Sequence, residues 1–162
     1  MNKYSIRIQL NQEWRTAEVT ATETLLDTLR HKWRAVEVKN GCAQGDCGAC
    51  AVLLQGRPVN ACLVLSVQAD EKEVTTVKGI GTGENPHPIQ SAFVEHGAVQ
   101  CGYCTPGMIV SSAALLAQNP NPSQAEISEA LSGNLCRCTG YTKILQAVAA
   151  AAQKPEPADR SE

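Results

Sequence analysis

No apolar run in this chain approaches the roughly 20 residues that a membrane-spanning helix requires. The N-terminus, MNKYSIRIQLNQEW, alternates apolar and polar residues where a secretory signal carries a continuous apolar core, and it has no twin-arginine pair. Charge is scarce and nearly balanced: 14 Lys and Arg against 16 Asp and Glu leave a formal net charge of −2. No basic run is present that could track a phosphate backbone, so a nucleic-acid role has no support. The three histidines, His31, His87 and His96, lack metal-ligand spacing and read as surface residues. Trp14 and Trp33 read as core or interface packing residues. No arrangement of acid, base and nucleophile stands out. These absences point to a cytoplasmic protein whose substrate chemistry lies elsewhere. With 43% hydrophobic and 19% charged residues the composition is globular. The 162 residues suit one ordinary domain or two small ones.

Cysteine, by contrast, is abundant. The eight cysteines fall into two sets of four with none left over. Cys42, Cys47, Cys50 and Cys62 read C-x4-C-x2-C-x11-C, and the first three match the spacing of plant-type [2Fe–2S] proteins. Cys101, Cys104, Cys136 and Cys138 read C-x2-C-x31-C-x-C. An iron–sulfur cluster needs four converging thiolates and N–H groups aimed at its sulfurs. In the first loop Gly41, Gly45 and Gly48 permit left-handed turns and close backbone approach. In the second set each pair stands at or just before a helix start, where free N–H groups and the helix dipole favour an anion.

Two other readings use the same cysteines. Disulfides are disfavoured in a reducing compartment. Structural zinc commonly takes two C-x2-C pairs; the second set has one such pair and the first does not divide into pairs.

Residues 1–78 read as mixed β and α. Tyr4, Ile6, Ile8 and Leu10 alternate as on a half-buried strand, Asn11-Gln12-Glu13 forms a turn, and Trp14 to Val19 returns. Thr22 or Thr24 caps a helix carrying Leu25, Leu26, Leu29 and Trp33 on one face. Strands are expected at Ala51 to Leu54, at Val59 to Leu65 after a Gln55-Gly56-Arg57-Pro58 turn, and at Glu73 to Val77. Residues 79–87 are Gly- and Pro-rich and read as a linker. Residues 88–153 read as helical: Pro88 to His96, a helix capped by Thr105 with Pro106 first, one opened by the Ser123-x-x-Glu126 capping box, and Tyr141 to Ala152. Residues 154–162 read as a flexible tail.

The stretches KNGCAQGDCGAC (39–50), QCGYCTPGM (100–108) and GNLCRCTGY (133–141) resemble the iron–sulfur subunit of the molybdenum hydroxylases, the xanthine dehydrogenase and aldehyde oxidoreductase family. The resemblance runs from about Ile6 to Ala150; Asp46 and Ala51 depart from the usual Glu and Thr or Ser without removing a ligand. It implies an α+β chain: a plant-ferredoxin-like β-grasp domain, then a four-helix-bundle [2Fe–2S] domain. It implies that all eight cysteines are ligands and that Gly41, Gly45, Gly48 and Gly102 supply cluster-loop backbone. It implies that Gln100 hydrogen-bonds the pterin. The second cluster is expected beside the molybdopterin of a large subunit and the first on the side of an FAD-binding medium subunit, in a heterotrimer or its dimer. Single electrons would then pass from the molybdenum site through both clusters to FAD or another acceptor. Arg137, between two ligands, reads equally as a charge-offsetting or a solvated residue. The competing reading is a stand-alone two-cluster carrier or redox sensor, for which the apolar helical half would be superfluous.

Overall fold

Two tight hairpins frame the first half of the computed structural model, which describes residues 2–153. Strand β1 (Lys3–Leu10) pairs antiparallel with β2 (Glu13–Thr20), Leu10 facing Glu13. Asn11 and Gln12 both take positive φ (49° and 72°), the two-residue turn whose twist suits a hairpin. Ile6, Ile8 and Leu10 are buried as the alternation requires, but Tyr4, near the strand's start, is half exposed. The second hairpin joins β3 (Ala51–Leu54) to β4 (Arg57–Asn60) through Gln55 and Gly56, at φ 51° and 74°. The turn is thus two residues rather than four. Arg57 and Pro58 belong to β4, an edge strand where the missing N–H of proline is tolerated.

Strand β5 (Glu73–Thr75) completes a five-stranded sheet in the order β2-β1-β5-β3-β4, parallel to β1 and antiparallel to β3. It stops two residues short of the expected Val77 because the Thr76 side chain caps a short helix, α2 (Val77–Ile80). The buried Thr76 hydroxyl donates to Glu37 Oε1 at 3.0 Å, and its N–H donates to Asn11 Oδ1 at 2.8 Å. The sheet covers α1 (Leu25–Asp27), whose cap is Thr24: its hydroxyl accepts from the Asp27 N–H at 3.2 Å. The helix widens at once into a π-type turn, Thr28–Lys32, and is shorter than its leucine spacing predicted. Leu25, Leu26 and Leu29 are nonetheless buried together, with Trp33 packed against them. Trp14 is instead on the surface, beneath the Arg7 guanidinium at 4.4 Å.

The second half is helical. Helix α3 (Pro88–Glu95) is capped by His87, whose Nδ1 accepts from the Ile89 N–H at 3.2 Å. Helix α4 (Thr105–Gln118) starts one residue earlier than expected: Cys104 takes the cap position and accepts from the Met108 N–H at 3.0 Å. Helix α5 (Gln124–Ala130) opens on the expected Ser123–Glu126 box, and α6 (Thr142–Ala152) follows Tyr141 at φ 68°. Ile89, Phe93, Met108, Ile127, Ile144 and Val148 build a second apolar core, separate from the one under the sheet. Val77 and Ile80 of α2 pack against it. The sheet and the helices meet where α4 lies along β3 and β4. Among the described residues no helix is long and apolar enough to cross a membrane. The tail expected at 154–162 lies outside the described residues.

Candidate metal centre

Residues 41–50 form a loop without regular structure between the π-type turn and β3. Its path is set by three left-handed residues, Ala43 (φ 55°), Gly45 (φ 93°) and Gly48 (φ 68°). They wrap the backbone round one sulfur: Cys42 Sγ accepts N–H groups from Gln44, Asp46 and Cys47 at 3.5, 3.3 and 3.4 Å. These donors, the Gln44 amide foremost, hold the Cys42 thiol down to about 6. A Cβ at Gly41 would stand 2.7 Å from Cys47 Sγ, so glycine there is needed for close approach rather than for handedness. Asn60 at the end of β4 donates its amide to Gly45 O at 2.9 Å.

The fourth cysteine of the set, Cys62, was expected on a strand. It lies instead in the turn after β4, which ends at Asn60, and the Leu63 N–H closes that turn on Asn60 O at 2.9 Å. The turn draws Cys62 inward, leaving it 7% exposed beside Cys50 at 3%. Burial, ahead of the contact with Cys62, pushes the Cys50 thiol up to about 11.

The second set assembles from two loops. Cys101 and Cys104 precede α4; Cys136 and Cys138 precede α6. Burial followed by the Cys136 contact pushes Cys104 up to about 12. Burial opposes ionisation of Cys136 too, but the Thr139 hydroxyl and N–H, donating to its Sγ at 3.1 and 3.4 Å, outweigh it and lower this thiol. Cys101 and Cys138 are exposed; contact with Cys101 raises Cys138.

Among the causes of these shifts each of four thiols has a neighbouring thiol, Cys47 for Cys42, Cys62 for Cys50, Cys101 for Cys138 and Cys136 for Cys104, which makes the eight neighbours two by two. Electrostatic contact of Cys50 with Cys47, and of Cys104 with Cys101, links the pairs into the two sets of four. Among the described residues no three ligand-type side chains converge on a point that could hold one ion. A [2Fe–2S] core takes two thiolates at each iron, and neighbouring pairs suit it. The Thr105 hydroxyl next to Cys104 is buried with no partner, which fits a site whose missing acceptor is the cluster.

Gln100 is exposed immediately before Cys101, Gly102 has φ 81°, and Arg137 is exposed. His31 stands 3.8 Å from Asp27, and His96 is exposed at the end of α3. Several residues the motifs did not single out support the loops. Besides Thr139, the Tyr141 hydroxyl accepts from the Cys136 N–H at 2.8 Å, and the Tyr103 hydroxyl donates to Asn40 O at 2.6 Å. Asn134 joins the two sites. Their signal was present, a polar residue beside each cysteine motif, but only the fold gives each its partner.

Two thiol foursomes, one on a sheet and one among helices, define a two-cluster electron carrier. Comparison with known proteins agrees. The family described as "2Fe-2S iron-sulfur cluster binding domain" matches residues 8–76, and the "[2Fe-2S] binding domain" family matches 76–149. The nicotinate dehydrogenase small FeS subunit of Eubacterium barkeri is 49% identical over 154 residues, covering 95% of this chain and 98% of that protein. The nicotine 6-hydroxylase small subunit of Paenarthrobacter nicotinovorans is 45% identical over 147 residues, covering 91% and 88%. The crystal structure of quinoline 2-oxidoreductase from Pseudomonas putida 86 superposes with a TM-score of 0.89 at 41% identity, over 93% of this chain and 94% of that one. The chain belongs to the iron–sulfur small subunits of the molybdenum hydroxylase family, and it is an electron-transfer subunit with two [2Fe–2S] clusters.

Proposed function

We propose that this chain relays single electrons inside a molybdenum hydroxylase complex, holding one cluster on Cys42, Cys47, Cys50 and Cys62 and the other on Cys101, Cys104, Cys136 and Cys138. The observation that carries the reading is the gathering of all eight thiols into two foursomes of neighbouring pairs. When bound, the clusters supply one-electron redox chemistry, which divides a two-electron oxidation into single steps. The protein sets burial, sulfur hydrogen bonds and spacing. Cys42 has three N–H donors, Gly45 and Gly48 shape their loop, Gly41 leaves room for Cys47, and Gly102 turns the chain between Cys101 and Cys104.

We assign residues 1–78 to a β-grasp domain, 79–87 to a linker and 88–153 to a four-helix bundle. The large molybdopterin-binding subunit covers the exposed Cys101 and Cys138, where Val99, Tyr103 and Leu135 are also exposed. Gln100, exposed on that side, hydrogen-bonds the pterin. A medium subunit with FAD lies toward the first cluster, in a cytoplasmic heterotrimer or its dimer. The relatives named above act on nicotinate, nicotine and quinoline by their names, so a nitrogen heteroaromatic is the first substrate to offer the complex.

An anaerobic pull-down from the native host, with iron, molybdenum and flavin quantified, tests the assignment. About four irons per chain with molybdenum and a stoichiometric large partner supports it. Iron without molybdenum or partner would favour the free carrier. In the assembled complex, Cys136→Ser should abolish substrate-driven reduction of the remaining cluster, whereas Cys42→Ser should leave the near-molybdenum cluster reducible. Equal loss in both variants would overturn the order.

A further inference from the structure

The two cysteine loops touch each other, and the contact is built round one buried side chain. Asn134, 4% exposed, sits two residues before Cys136. Its Oδ1 accepts from the Ser111 hydroxyl on α4 at 2.8 Å, and its Nδ2 donates to Gly48 O, in the other cysteine loop, at 3.1 Å. One residue along, the Leu135 N–H donates to Cys47 O at 2.9 Å. The Asn134 backbone N–H is itself held by Leu131 O at 2.9 Å, so its side chain projects from an anchored backbone.

Glycines on both sides let the contact close. A Cβ on Gly48 would stand 2.3 Å from Gly133 O and 2.6 Å from Asn134 Nδ2. A Cβ on Gly107, in the first turns of α4, would stand 2.3 Å from Gly48 O. Three segments thus converge on one carboxamide: the 47–48 loop, the 133–135 loop and α4. A buried amide with both ends bonded accepts little displacement, since moving either loop strands a polar group away from water.

We infer that Asn134 is a positioning residue: its carboxamide clasp fixes the separation and relative orientation of the two cluster-binding loops. The inference rests on the ligand assignment proposed above. Ser111 orients the carboxamide, the Gly48 carbonyl is its target in the first loop, and Gly107 keeps α4 close enough for both. The clasp touches no thiol, so it governs the relation between the sites and not the make-up of either.

The test uses the full iron-loaded chain, reduced so that both clusters are paramagnetic. Iron content and the low-temperature electron paramagnetic resonance spectrum are read together, because the magnetic interaction between two reduced centres reports their separation and orientation. Asn134→Ala should keep the iron of the native chain and both cluster signals, yet lose the defined inter-cluster interaction to a broadened one. Ser111→Ala should give a smaller change in the same direction. Gly107→Ala, whose added Cβ would stand 2.3 Å from Gly48 O and 3.0 Å from Asn134 Nδ2 and so force both partners of the clasp apart, should reproduce the Asn134→Ala spectrum. If Asn134→Ala fails to assemble, Ser111→Ala and Gly107→Ala decide by the same reading. Unchanged interaction in the variants that retain iron would overturn the clasp, as would loss of a single cluster with the other unperturbed. A native chain that binds no iron would instead overturn the ligand assignment itself.

Discussion

The two halves hold the same number of thiols by opposite means. The sheet half draws three of its four cysteines from one ten-residue loop and bonds a sulfur with backbone N–H groups alone. The helical half draws two pairs from loops 31 residues apart and reaches a sulfur with a side chain, the Thr139 hydroxyl. Cys50 and Cys62 are buried, whereas Cys101 and Cys138 are exposed. A loop can arrange its own amides round a sulfur only where left-handed residues turn it sharply, and the first loop has three. The second site also turns on left-handed residues, Gly102, Gly140 and Tyr141, but it adds the Thr139 side chain as a sulfur donor and stays open on one side.

The largest expected effect asks whether the halves are independent. Cys62→Ser and, separately, Cys136→Ser should each lower iron content from about four to about two per chain, with the other half's visible absorption retained. Loss of all iron from either variant would show that one site cannot form without the other.

Next comes the seam. Gly48 combines a left-handed φ with a close approach to Gly133 O, so Gly48→Ala should destabilise the chain by about 1–3 kcal/mol or more, measured by thermal unfolding. Gly133 has open space where a Cβ would go, and Gly133→Ala should be near neutral. Equal destabilisation would mean that the seam is looser than its distances indicate.

A smaller effect separates backbone from side-chain tuning. Thr139→Val removes a hydroxyl donor from Cys136 Sγ, which stabilises the more negative, reduced state. The second cluster's midpoint potential should fall while the first stays in place, as followed by a spectroscopic redox titration. No side-chain replacement removes the Cys42 donors in the same way, because they are amides. An unchanged second potential would remove Thr139 from the comparison.

The subtlest contrast lies in the cluster-free chain. The amide-bonded Cys42, at about 6, should be ionised above that pH and alkylate first near neutrality. Cys50 and Cys104, pushed up to about 11 and 12 chiefly by burial, remain protonated and react last. Its folded value is depressed, so Cys42 loses this advantage as pH falls through about 6. Peptide mapping of alkylation against pH checks the order; uniform labelling would contradict it.

Much of this was legible in the residues. Period-two alternation located β1 and the turn after it located β2, the Ser123–Glu126 box opened α5, and the proline-marked helices lie close to where they were expected, because each of these signals is local. The misreadings share a cause. Helix α1 is cut short because its leucines are buried against the sheet by a widened turn, with Thr28 hydroxyl meeting Ser66 Oγ at 2.8 Å from a distant segment. Cys62 lies off the strand because the turn after β4 draws it inward to Cys50. Thr105 yields the cap of α4 to Cys104, a shift of one residue that leaves its hydroxyl buried without a partner.

The two foursomes and their helical or glycine-rich settings were determined by sequence alone, since ligand spacing and turn chemistry act over a few residues. Which thiol neighbours which, how Asn134 spans from α4 to the 47–48 loop, and which cysteines stay exposed were decided only by tertiary structure. Those contacts join positions up to 86 residues apart, and no local preference encodes them; they exist because α4 packs along β3 and brings the two loops within hydrogen-bonding reach.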